Sequence, residues 1–287
     1  MRACCLASIV CFAFLSTSAQ SSSSEVTGAP RTVQAATIIE QSLATLNGGL
    51  PVSDVTMKGA YTVIDTDGTQ SGTITLVATA SGQGQSTVVL PSGSYTETRS
   101  LSATSARMIE TGPDGVPHAI STQAALSPSP AWFYPALVLA SASLPNHLSS
   151  YVGQETLNGE AVHHLAVWWL PANNSSASPT LTGFWQQVTE HDIYLDASSL
   201  LPVSMTFLLH PYDPNDAGKP LMTHRGIGTD GTVEVRFSDY QQIQGRFVAL
   251  HIHVTLKTGT RAVTSDIQVS SVTFNTGATI NMPTAVN

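Results

Sequence analysis

His251 and His253 stand two residues apart, and in an extended chain that spacing sends both imidazoles to the same side. Metal-binding sheets use such pairs, because imidazole nitrogen is a good ligand for divalent transition metals. Val248, Leu250, Ile252, Val254 and Leu256 fall on the other side, which leaves the histidines on a polar face with Thr255 and Lys257. A metal site needs three or four convergent ligands, and Lys257 is an unfavourable neighbour for a cation, so no metal ligand is assigned. His163 and His164, and likewise His191 and Asp192, point to opposite faces as adjacent strand residues, so neither pair chelates unaided. Glu190, Asp192 and Asp196 share one polar strand face, where a carboxylate pair for glycoside hydrolysis is conceivable but a solvated face is much the better account.

Other motifs dissolve on context. Gly226-Ile227-Gly228-Thr229-Asp230-Gly231 matches a dinucleotide fingerprint as text, but it precedes a strand rather than opening a helix, so no helix N-terminus faces a pyrophosphate. Asp65-Thr66-Asp67-Gly68-Thr69 begins like a calcium loop and lacks the distant glutamate; an Asp-Gly hairpin explains it. Serine is plentiful, yet there is no Gly-x-Ser-x-Gly elbow, and Ser92-Gly93 lies in a plain turn. No catalytic residue and no cofactor are assigned. Among the aromatic residues, Trp168 and Trp169 are adjacent in a strand, which predicts one in the core and the other exposed or facing a cavity.

The termini and the composition set the surroundings. Met1-Arg2 followed by the apolar run Ala3 to Leu15 and the small-residue step Thr17-Ser18-Ala19 has the shape of a signal peptide, with cleavage expected after Ala19. That run is shorter than the roughly 20 apolar residues needed to span a bilayer. All three cysteines, Cys4, Cys5 and Cys11, lie inside it, so the mature chain is expected to have no disulfide, thiol nucleophile or cysteine ligand. The formal charge of −8 becomes one unit more negative without Arg2, which argues against nucleic acid and anionic membranes as partners. Only 10% of residues are charged, as in a β-rich exported protein, either secreted or periplasmic.

The elements follow from periodicity. Residues 20–30, with four consecutive serines, read as a disordered leader, and residues 31–281 as a single domain. Val33, Ala36, Ile39, Leu43 and Leu46 recur at helical steps, and Asn47-Gly48-Gly49 stops the helix. After Pro51 the period becomes two: Val55, Met57, Gly59, Tyr61 and Val63 alternate with polar residues, and Ile74, Leu76 and Ala78 repeat the pattern. Between Pro128 and Ala140 lies Ala131-Trp132-Phe133-Tyr134-Pro135-Ala136-Leu137-Val138-Leu139, apolar on every side. A helix there tolerates Pro135 only near its first turn, and it must be buried or must cover something apolar. Breaks at Ser81–Gly84, Pro91–Gly93 and Pro113–Gly115 punctuate further short strands of a meander, strands at 151–157, 161–170, 190–195, 203–210, 232–239, 247–257 and 262–275 bring the total to about ten, and the Asn158-Gly159 pair marks a hairpin. With no helical stretch recognised between them, the sheet should be antiparallel. In the last strand the apolar phase slips from Ile267 and Val269 to Val272 and Phe274, which predicts a β-bulge at Ser270-Ser271 that bends the sheet.

An N-terminal helix, a β meander, a central apolar helix and a second set of hairpins is an order that resembles the LolA/LolB-like lipoprotein-carrier superfamily. Two passages carry the likeness. Tyr194-Leu195-Asp196-Ala197-Ser198-Ser199-Leu200-Leu201-Pro202-Val203 is similar to the family's strand, Asp turn and Leu-Pro re-entry, and Ser238-Asp239-Tyr240 followed by Ile243 and Gly245 is similar to a hairpin of many secreted relatives. The proline common a few residues after that glycine is replaced by Ala249 and Leu250. The resemblance implies a mainly β (α+β) fold: a curved antiparallel sheet or half-open barrel whose concave side takes an acyl chain or another apolar ligand. Trp132, Phe133, Leu137, Leu139, Trp168 and Trp169 are then the candidate ligand contacts, with the central segment as a lid or as a plug of a filled core. Three functions stay open at this point: a carrier of a lipid, a lipoprotein acyl chain or another apolar ligand; an envelope interaction module with a filled core; and an unrecognised hydrolase.

Overall fold

The computed structural model describes residues 29–120, 129–144, 146–171, 179–209, 231–258 and 261–286; the expected signal peptide and most of the Ser-rich leader lie outside them. Helix α1 (Ala29–Asn47) comes first and begins within the stretch read as leader. A meander of β1 (Asp54–Asp65), β2 (Gly68–Thr79), β3 (Gln83–Leu90), β4 (Gly93–Leu101), β5 (Ala106–Thr111) and β6 (Pro117–Ile120) follows. Helix α2 (Pro135–Ser141) leads to β7 (His147–Leu157) and β8 (Glu160–Trp169), and helix α3 (Pro179–Thr189) to the rest. These are β9 (His191–Asp196), β10 (Pro202–Leu209), β11 (Gly231–Ile243), β12 (Arg246–Thr258) and β13 (Arg261–Phe274). No described helix is long and apolar enough to cross a membrane.

All the strands among the described residues join one antiparallel sheet of 13 in the order β6-β5-β4-β3-β2-β1-β13-β12-β11-β10-β9-β8-β7. The two halves of the chain each run outward from the β1–β13 pair, and the ends, β6 and β7, do not pair among the described residues. The sheet is therefore curved and unclosed, a half-open barrel. Thirteen described strands exceed the expected ten or so, and the breaks expected near residues 81–84, 91–93 and 113–115 fall between β2 and β3, β3 and β4, and β5 and β6. Helix α3 was also unexpected; it follows β8, yet β8 and β9 still pair antiparallel, with Val162 opposite Asp196 and Val167 opposite His191.

The curvature has a local cause at the predicted bulge. Lys58 faces Ser271 and Gly59 faces Val269, so Ser270 is the extra residue, and its hydroxyl donates to the Lys58 carbonyl at 3.2 Å. A Cβ on Gly59 would lie 2.2 Å from the Gln268 carbonyl oxygen, which explains glycine opposite the bulge. Alternation sends Val55, Met57, Ile74, Leu76, Ile193, Leu195, Val235, Ile252 and Ile267 into one continuous core with the buried face of α1. Ala35, Ile38, Ile39 and Leu46 supply that face, and the buried Ser42 donates to the Leu200 carbonyl at 2.8 Å. Both passages that suggested the family form tight connections: Asp196 accepts from the N–H and O–H groups of Ser198 and Ser199 before β10 starts at Pro202, and Tyr240 of the β11–β12 hairpin donates to the Pro202 carbonyl at 2.7 Å.

Candidate ligand cleft

The central apolar segment sits against the sheet as a brace followed by a short helix. Pro135 occupies the first turn of α2, where a missing N–H costs nothing, so the helix starts four residues later than Ala131. Ahead of it, Trp132 donates to the Ser129 carbonyl and Tyr134 to the Ala131 carbonyl, forming a turn over residues 129–134. Two contacts fix this turn across the sheet. On β3 the backbone of Gly84 lies so close to Pro130 that a Cβ would fall 1.9 Å from the Pro130 carbonyl oxygen. On β9 the Ser129 N–H donates to His191 Nε2 at 2.8 Å.

That second contact defines the state of His191. Its Nδ1–H donates to the Thr189 carbonyl at 2.8 Å, so Nε2 carries the lone pair that Ser129 uses. Burial holds the imidazole neutral and pulls its pKa down to about 4, against a smaller upward effect of the Thr189 carbonyl. The ring lies 5.4 Å from that of Phe207.

Beside the brace opens a cleft of about 420 Å³. Its walls are the β2–β3 turn (Thr79 to Gly82), the end of β4 (Leu101 to Ala103), Ser129 to Ala131, and the face of α2 and its exit that carries Leu137, Ala140, Ser141 and Leu144, with Val52 and His147 completing the rim. A second void of about 30 Å³ shares Leu101, Ser129, Ser141 and His147 and continues to Val167, Trp168, Trp169 and His191.

The six candidate contact residues are distributed unequally. Leu137 is 6% exposed and lines the larger cleft. Trp168 and Trp169, 5% and 4% exposed, are both buried and both border the small void, whereas alternation had led one of them to be expected in the core and the other at a surface or cavity. The reason for Trp169 is α3: Trp185 packs edge-on against it at 5.6 Å, and with Val188, Ala106 and Met108 they form a satellite core joining β5 and β8, near opposite ends of the sheet. Phe133 and Leu139 belong to the main core and do not line either space, and Trp132 is half-buried, edge-on to Phe133. Sequence reasoning missed Ser129, Thr79, Gly82, Leu101 and His147, which meet only in three dimensions.

The other titratable clusters lie elsewhere. Asp266 on β13, opposite His253, brings together the two histidines of β12, with His251 Nε2 at 3.0 Å and His253 Nδ1 at 2.8 Å from its Oδ1. This acidic partner was not anticipated, and among the described residues no group of three such side chains is arranged to hold a metal ion. His164 contacts Glu155 at 2.9 Å and Asp192 at 2.8 Å, and stacks on Tyr194. Burial would lower its pKa, but the hydrogen bonds and charges of both carboxylates outweigh burial and raise it. Asp192 thus pairs with a histidine, and Asp196 caps a turn, so neither is placed as a glycosidase carboxylate.

Comparison with solved structures agrees with this architecture. A LolA superfamily protein from Nitrosomonas europaea superposes with a TM-score of 0.50 at 10% identity, over 87% of this chain and 94% of that one. A DUF1329 family protein from Desulfovibrio piger gives 0.51 at 11%, over 87% and 95%. The chain has the LolA-like fold. An outer-membrane lipoprotein-sorting-like domain of Vibrio parahaemolyticus also matches, with a TM-score of 0.51, 11% identity and coverage of 86% and 95%. No family model matches the chain, and neither does any curated protein. At these identities the likeness establishes the LolA-like fold alone.

Proposed function

We propose that this protein is exported by its N-terminal signal peptide, expected to be residues 1–19, and carries an apolar ligand such as a lipid or an acyl chain in the envelope. The observation that supports this reading is the cleft of about 420 Å³ beside α2, within the range of about 300–1,000 Å³ of small-molecule pockets and lined mainly by Val52, Leu101, Pro130, Leu137 and Leu144. Its volume suits a single chain. Leu137 contacts the ligand directly, Trp168 and Trp169 close the small void behind it, and Trp132, Phe133 and Leu139 hold the brace and α2 in place. The second reading, an interaction module with a filled core, is favoured by the complete burial of Pro135 to Leu139, which makes α2 more plug than lid. Native mass spectrometry of protein purified from its own envelope distinguishes them. A mature chain beginning near Gln20 with co-purified lipid mass supports the carrier. A chain without added mass, which also fails to take up a fluorescent fatty acid, supports the module and ends the carrier reading.

A further inference from the structure

The cleft carries no formal charge. None of its lining residues is lysine, arginine, aspartate or glutamate; its polar groups are the hydroxyls of Thr79, Ser81, Ser102, Ser129 and Ser141 and the imidazole of His147. The sequence around it shows the same avoidance on a larger scale. Thr69 to Thr96, Ala119 to Asn146 and Leu165 to Thr189 contain no Asp, Glu, Lys, Arg or His, and these three stretches supply most of the walls of both spaces. Arg99, two residues before Leu101, is already paired with Glu97.

We propose, on the basis of the carrier reading, that the cleft selects an uncharged amphiphile: one acyl chain ending in a hydroxyl or ester head, of the monoacylglycerol type. A carboxylate or phosphate entering it would give up hydration with no cation among the described lining residues to replace the lost water, a costly transfer for a ligand group. An ester carbonyl and free hydroxyls need only hydrogen bonds. The hydroxyls at the rim supply them: in the Thr79–Ser81 pair, 2.8 Å apart, one hydroxyl donates to the other and the second keeps its hydrogen for the ester carbonyl, while Ser141, which donates to the Val138 carbonyl at 2.6 Å, still accepts from a ligand hydroxyl. The apolar face of Leu137, Ala140 and Leu144 receives the chain.

The test compares 1-monomyristoylglycerol, myristate and lysophosphatidylglycerol of the same chain length, each below its micelle concentration at pH 8, by displacement of a bound fluorescent acyl probe and by native mass spectrometry. The expected result is monoacylglycerol binding at least roughly tenfold tighter than either anion. Equal or tighter binding of an anion overturns this inference and leaves the carrier reading intact, whereas binding of none of the three overturns the carrier reading itself. A gain-of-function variant gives a second arm. Ser102 is exposed at the rim, so Ser102→Lys should fold and place an ammonium beside the cleft. Myristate affinity should then rise roughly tenfold, while monoacylglycerol, which loses the Ser102 hydroxyl, should gain nothing. A folded Ser102→Lys protein that gains no myristate affinity would show that the missing cation is not what excludes anions.

Discussion

Leu137 and Leu139 share a helix of seven residues but face different surroundings, and truncating each separates a cleft wall from a core plug. Leu139 is fully buried, and Leu139→Ala should cost about 3–5 kcal/mol, because the lost transfer energy adds to a new cavity inside a packed core. Leu137 is 6% exposed and one side of it already borders open space, so Leu137→Ala widens an existing cleft instead of creating a void. Most of its cavity contribution is therefore absent, and the cost should fall to about 2–3 kcal/mol. For a chain of this size that is roughly 5–10 °C in melting temperature. Urea denaturation of both variants gives the two losses, and an unchanged slope confirms that the unfolded reference is the same. Leu137→Ala should also alter affinity for an acyl ligand, while Leu139→Ala at equal folded fraction should not. Equal losses of stability with no effect of Leu137→Ala on binding would refute the assignment of Leu137 to a ligand-facing wall and leave α2 as core filling throughout.

Two further perturbations read other parts of the scaffold. Since the pKa of His191 is held near 4 when folded and would be near 6.5 unfolded, its stabilisation is complete above about pH 6.5 and is lost as pH falls towards 4, by on the order of 3 kcal/mol; His191→Gln should flatten that part of the stability–pH curve, and an unchanged slope would contradict the buried neutral imidazole. Asp54, buried at the start of β1, accepts from the Thr276 N–H and O–H, the Gly277 N–H and the Ser53 hydroxyl; burial alone would raise its pKa, but these bonds outweigh it and lower it. Asp54→Ala should cost about 1.5–3 kcal/mol and speed hydrogen exchange in residues 275–286 before the rest of the sheet, whereas uniform exchange would show that the carboxylate does not anchor the C-terminal segment.

How much was legible depended on how local the signal was. The bulge at Ser270 was readable because a phase slip from Val269 to Val272 is visible within one strand. Helix α1 was readable because apolar residues repeat along it, although Val33 and Ala36 are exposed and Ala35 and Ile38 take their places on the buried face. Helix α3 was not: Thr180, Thr182, Gly183, Phe184, Trp185 and Val188 are poor or indifferent helix formers, and burial of Trp185 and Val188 against β5 and β8 decides their conformation. The cleft itself was invisible for a different reason. Its walls come from residue 52, residues 79–82, 101–103 and 129–131, and from Leu137, Ala140, Ser141, Leu144 and His147, and no local pattern ties a turn after β2 to the exit of a helix more than fifty residues later. Leu137 entered the candidate list because its segment is apolar, not because anything in the sequence located the space beside it. His191 gave a still weaker clue, since next to Asp192 on the opposite face it showed only a pair that cannot chelate unaided.

The choice between plug and lid loses its sharpness once the brace is considered. In a closed barrel of this size the interior must be filled or hollow as a whole. Here β6 and β7 stay apart, and the two halves of the sheet are tied by other means: the satellite core of Trp169 and Trp185 with Ala106 and Met108 at one place, and the Ser129 to Tyr134 turn between Gly84 and His191 at another. Phe133, Tyr134 and Leu139 fill the interior on one side of the brace, which holds the curvature without a ligand. On its other side α2 is too short to cover the ends of β2 and β4, and the uncovered strip is the cleft. A ligand there would complete a surface that is already rigid on three sides, so binding need not order the domain. At its Ser129 end the brace is tied to β9 by one backbone donor on His191, whereas at its other end Phe133 and Tyr134 are buried in the core. Loss of the Ser129–His191 bond should loosen the cleft wall well before the core on the far side of the brace opens.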